Sequence, residues 1–141
     1  MLLEEEIRNL VRAMVQSHPK SRYYREPELG FASARDPLYD QLDDLIGNPQ
    51  IHPTRMLNGA RTVIVLFLPY SEIIYQDMKN GLLTSSVYSD AYMYTNDLLD
   101  QIMKQMQLLL TDRGFHSAAE PPSENFDHVT KTACWGTNPM Q

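Results

Sequence analysis

Tyr88, Asp90, Tyr92, Tyr94 and Asn96 fall within fifteen residues, the stretch "SSVYSDAYMYTNDLL" that begins at Ser85. A tyrosine offers a flat apolar face with a hydroxyl at its tip. An aspartate can accept or give a proton, and an asparagine amide serves both sides of a hydrogen bond. Such a set suits the wall of a large, mostly apolar ligand cleft with polar groups at its edge. The competing reading is a partly buried helix entry whose hydroxyls reach water. Tyr70 and Ser71 form a second candidate point. They follow the apolar run "TVIVLFL" across Pro69, and the carboxyl end of a buried strand is where layered α/β proteins usually bind ligands.

The other chemistry-bearing residues assemble less readily. His18, His52, His116 and His128 show no pairing at a spacing of three or four, so a zinc site would need distant parts. Surface or capping roles fit them better. "ENFDHV" sets Asp127 beside His128, but adjacent side chains seldom face each other on a helix. A helix cap by Asp127 or Asn125 is the simpler account. The sequence contains no GxGxxG, no GxxxxGK[ST] and no GxSxG, which removes the phosphate-cradling and nucleophile-elbow readings. The single cysteine, Cys134, cannot form an internal disulfide, a Cys-rich zinc site or an iron–sulfur site. Met93, Met103 and Met106 read as core filling.

The elements that must position these residues follow from periodicity. Leu3, Ile7, Leu10, Val11, Met14 and Val15 mark a helix over 3–17, with acids in its first turn. Pro19 ends it. "SRYYREPELGFASARDP" reads as a connection with a short apolar piece, in which Gly30 allows a turn or a close approach of backbone. Asp36 and Pro37 open a short helix with Leu38, Leu42, Leu45 and Ile46 as its stripe. "TVIVLFL" predicts a central strand buried on both faces. "EIIYQDMKNGLL" is a helical turn or a loop, and "TSSVYS" a weak strand. The longest helix runs from Asp90 to Arg113, capped by Ser89 or Asp90 and stopped by Gly114. "FHSAAE" reads as a returning strand, followed by a short helix near Asp127. The order predicts an α/β or α+β fold, a small mixed sheet with a buried central strand covered by helices.

With 141 residues and 43% hydrophobic content, the chain suits a single domain over 1–141 with a real core. A net charge of -6 argues against a broad nucleic-acid surface. "VIVLFL" is too short to span a bilayer, and "MLLEEEIRNL" lacks the basic flank of a signal peptide. The expectation is a soluble, cytoplasmic chain without a membrane partner.

Taken in order, "LGFASA", "HPTRMLNGARTVIVLFLPYS", "SSVYSDAYMYTNDLL", "DRGFHSAAEPPSENFD" and a nearby tryptophan resemble the epoxyqueuosine reductase family, in particular its divergent anaerobe members. The resemblance covers most of residues 28–135. It implies a nitroreductase-like fragment: the N-terminal, cobalamin-binding-type part of an oxidoreductase of tRNA queuosine biosynthesis. The corrin would supply the reductant, and a C-terminal iron–sulfur domain would supply electrons. On this resemblance Tyr70, Ser71, Tyr88, Asp90, Tyr92 and Asn96 would line the cobalamin cleft.

Three departures matter. The cluster cysteines are absent, so an iron–sulfur domain or a separate subunit would have to provide them. The sequence stops where a glycine-rich segment is expected, which reads as truncation and inactivity alone. The family's Asp-Tyr-His at the helix start is replaced by Ala91-Tyr92-Met93. Asp90, one residue early, is the weak candidate for the catalytic acid. The alternative is a non-catalytic interaction module, pairing with itself or with an iron–sulfur protein; a flavin-binding relative is a third reading.

Overall fold

The computed structural model describes residues 1–46, 52–80, 86–119, 126–127 and 132–133. Among these residues it is an α+β chain of five α-helices with short strand pairs. It divides into two compact units. The first contains Met1–Leu29 and Leu66–Arg113; the second contains Gly30–Val65 and Gly114–Gln141.

The first unit is helical. In α1 (Leu3–Ser17) the residues Ile7, Val11 and Val15 recur every fourth position and are buried, as one stripe of an amphipathic helix must be. The acids Glu4, Glu5 and Glu6 occupy its first turn, and Glu6 pairs with Arg113 at 2.6 Å. The helix stops at His18, whose extended backbone precedes Pro19. The long helix α5 (Ser86–Asp112) presents Ala91, Thr95, Leu98, Ile102 and Met106 as its buried face. α1 and α4 (Glu72–Asn80) both pack on α5, and α4 contributes Ile74, which is fully buried. Each such aliphatic side chain removed from water stabilises the fold by roughly 1.5–3 kcal/mol. Gly114, at φ 83°, follows α5 in the left-handed conformation that suits glycine after a helix.

The second unit holds α2 (Leu38–Ile46) and the single turn α3 (Pro53–Met56). Asp36 Oδ1 accepts the Leu38 amide at 2.9 Å, the expected cap. His52 caps α3 by accepting the Thr54 amide at 3.3 Å. Tyr39 meets the His52 ring edge-on at 6.1 Å, and Asp40 lies 3.4 Å from its Nε2. Phe126–Asp127 (β3) and Thr132–Ala133 (β4) pair antiparallel.

β1 (Glu28–Ser33) and β2 (Thr62–Phe67) neighbour each other in a two-stranded sheet.

Several expectations change. β2 forms where "TVIVLFL" predicts it, but none of its residues is buried, and Val65 and Phe67 are 52% and 56% exposed. An apolar run calls for cover on both faces, but the cover must come from other elements. Gly30 sits inside β1, outside the left-handed region, and a Cβ there would meet nothing within 4 Å. It therefore marks neither a turn nor a close approach. Residues 86–89 are helical rather than strand, so Ser89 and Asp90 lie inside α5 and not at its cap. Residues 72–80 form a full helix, 115–119 carry no regular structure, and 126–127 are strand rather than helix. The readings that fall on Asn125, His128 and Cys134 lie outside the described residues.

Candidate functional site

The candidate site belongs wholly to the first unit. After α1 the chain makes a tight helical turn at Ser21–Tyr23 and then extends at Tyr24. Tyr24 and Tyr70 form an antiparallel bridge. Around it the Arg25 amide donates to the Pro69 carbonyl at 2.9 Å, and the Ser71 amide donates to the Tyr23 carbonyl at 2.7 Å. The Ser71 hydroxyl donates to the Arg22 carbonyl at 2.6 Å. The segment after α1 and the segment after β2 are thus joined by backbone bonds, and Ser71 is part of the fastening.

The opening turns of α5 hold the same segment by side chains. The Tyr23 hydroxyl donates to Asp90 Oδ2 at 2.9 Å, and Lys20 Nζ stands 3.4 Å from the same oxygen. Thr95 donates to the Ala91 carbonyl at 2.6 Å. Its single proton is then committed, so the Tyr24 hydroxyl is the donor in the 2.9 Å bond to Thr95 Oγ1. Tyr23, Tyr24 and Thr95 are all buried, and these bonds satisfy their hydroxyls.

The aromatic rings form a continuous row. Tyr94 meets His18 at 6.1 Å, and His18 meets Tyr24 at 6.2 Å. Tyr24 stacks on Tyr70 at 6.3 Å, and Tyr70 meets Tyr88 edge-on at 6.2 Å. All these separations lie in the range of favourable ring pairs. Lys20 Nζ adds a cation 5.0 Å from the Tyr94 ring and 5.5 Å from the Tyr23 ring. Burial raises the pKa of the Tyr24 phenol, against a smaller lowering by its bond to Thr95. Burial likewise raises that of Tyr70. Both environments penalise the phenolate.

Of the residues singled out in the sequence, Tyr70, Ser71, Tyr88 and Asp90 come together around the 18–24 segment. Tyr92 acts electrostatically on the Tyr70 phenol. Asn96 is half-buried one turn further along α5. Met93 and Tyr94 are exposed, Met93 the more so. Lys20, Tyr23, Tyr24 and Thr95 were not singled out, although they organise the cluster. The available signal was "RYYRE", two adjacent aromatics in a polar connection, which need a buried destination.

Asp90 faces two donors, a phenol and an ammonium. Through them it ties the 18–24 segment to α5. Among the described residues no group of three or more His, Cys, Asp or Glu is arranged to hold a metal ion, and no helix is long and apolar enough to cross a membrane. No family model matches the chain, and no curated protein or solved structure matches it.

Proposed function

We propose that the first unit carries the cofactor-contacting wall of an epoxyqueuosine reductase-like oxidoreductase, as the N-terminal cobalamin-binding-type part of such an enzyme. What supports the reading is one observation: Tyr70, Tyr88, Tyr92 and Asn96, from the end of β2 and the start of α5, are all half-buried, with the Tyr70 and Tyr88 rings 6.2 Å apart. Aromatic edges and faces beside an amide fit a large flat macrocycle with polar groups at its rim. Bound there, cobalamin would supply the low-potential reductant. The protein's part is to bind and orient. Tyr70, Tyr88, Tyr92 and Asn96 offer contact, Ser71 fastens the loop that carries Tyr70, and Asp90 anchors the opposite segment. Electrons would come from an iron–sulfur domain or subunit. In this reading the nitroreductase-like sheet is completed by further chain over β2, and the enzyme serves tRNA queuosine biosynthesis in the cytoplasm. The test is to mix the purified protein with hydroxocobalamin, desalt it and record visible spectra. Corrin bands that travel with the protein are expected; their complete loss would sink the proposal.

A second reading is an interaction module that pairs with itself or with an iron–sulfur protein. The exposed apolar side chains Phe67, Ile73 and Tyr75 of the first unit favour it. Light scattering across a concentration series separates the two: a self-associating chain without corrin affinity favours the module.

A further inference from the structure

A groove of about 320 Å³ opens in the first unit between the end of α1 and the segment after it. Val15, Tyr24 and Pro27 supply apolar lining; Ser21, Arg22 and Arg25 supply polar groups. Tyr70, Tyr88, Asp90, Tyr92 and Asn96 do not line it. The volume is at the lower end of small-molecule sites. Glu26 also lines the groove, but it is matched by an ion pair with Arg12. The Arg22 guanidinium lies 5.2 Å from the Tyr23 ring. Neither Arg22 nor Arg25 has a carboxylate partner among the described residues. Two uncompensated cations therefore border one depression on a chain whose net charge is -6. The carboxyl end of α1 contributes an opposing partial charge of about half a unit, which two guanidinium groups outweigh.

We propose that this groove binds a small aryl anion, a carboxylate or phosphate monoester carried on one aromatic ring. Val15, Tyr24 and Pro27 would contact the ring, and Arg22 and Arg25 would meet the anion. Guanidinium groups suit both anions because their paired N–H donors match the oxygen spacing. The site is separate from the tyrosine contacts assigned to the corrin, so either assignment can fail alone.

The experiment is a titration of the ¹⁵N-labelled full chain followed by amide chemical shifts. Benzoate and phenyl phosphate are the two anionic probes, with benzyl alcohol as the uncharged control. Saturable shifts are expected at Ser21, Arg22, Arg25 and Glu26 for at least one anion, at least about tenfold weaker for the alcohol. The better anion tells carboxylate from phosphate. R22Q/R25Q should weaken binding by about tenfold or more while K104Q leaves it unchanged. Both changes are at exposed side chains, and unchanged thermal unfolding would confirm the fold. Non-saturating shifts, shifts spread over all basic residues, equal binding of the alcohol, or unchanged affinity in R22Q/R25Q would each overturn the proposal.

Discussion

α1 and α2 are written alike and end differently. Each is a short helix with apolar residues on one stripe and acids in its first turn. In α1 the stripe is covered: Ile7, Val11 and Val15 are at most 3% exposed. In α2 the stripe is open: Leu38, Leu42 and Leu45 are 58%, 39% and 81% exposed. The difference teaches that an amphipathic pattern specifies a helix and a face, while stability comes from what lies on that face. α1 has α5 to lie against. Its energetic weight is therefore large, and that of α2 within this chain is small.

The sharpest way to break the comparison is to cut matched side chains. Ile7→Ala should destabilise the first unit by about 2–5 kcal/mol, as a buried isoleucine does. Denaturant unfolding followed by circular dichroism measures this, and a loss under about 1 kcal/mol would mean that the α1 stripe is not the core it looks to be. Thr95→Val comes next. It keeps the shape but removes the acceptor of the buried Tyr24 hydroxyl, at about 1–3 kcal/mol in the same assay.

Alkaline pH acts on Tyr24 and Tyr70. The folded pKa values of Tyr24 and Tyr70 lie above the ordinary phenol value of 10.0. Above pH 10 the unfolded chain therefore loses these protons first and binds fewer of them. Stability should be fully present below that value and fall as pH rises through the folded values. Tyr24→Phe should flatten that fall, as thermal unfolding between pH 9 and 11 would reveal. The smallest effect belongs to α2. Leu45→Ala should change stability by no more than about 0.5 kcal/mol; a loss as large as that of Ile7→Ala would erase the contrast.

The sequence was most legible where one period governs a segment. The stripe of α1, the Asp36 cap and the Gly114 stop all follow from local rules. The start of α5 did not. Val87 and Tyr88 are of types that favour strands, and the strand reading there rested on local preference alone. Tyr23 and Tyr24 were passed over for a related reason. Adjacent residues in a linker carry no period, and their partners Asp90 and Thr95 lie 67 and 71 positions away. Exposure of β2 was equally out of reach, since a run such as "TVIVLFL" reports its own need for cover and not what the chain provides.

The question posed by the tyrosine-rich stretch is now a more defined one. Asp90 holds the 18–24 segment, and Tyr88 meets Tyr70, so part of the stretch serves the protein's own packing. The half-buried faces of Tyr70, Tyr88 and Tyr92 are what the corrin proposal uses. Equilibrium dialysis against hydroxocobalamin, comparing the unaltered chain with Y88A and L45A, tests it most directly. The proposal predicts binding by the unaltered chain and by L45A, with affinity lowered about tenfold or more in Y88A, as loss of an aromatic contact of about 1.4 kcal/mol would give. No binding by any of the three, or equal binding by all, would contradict it.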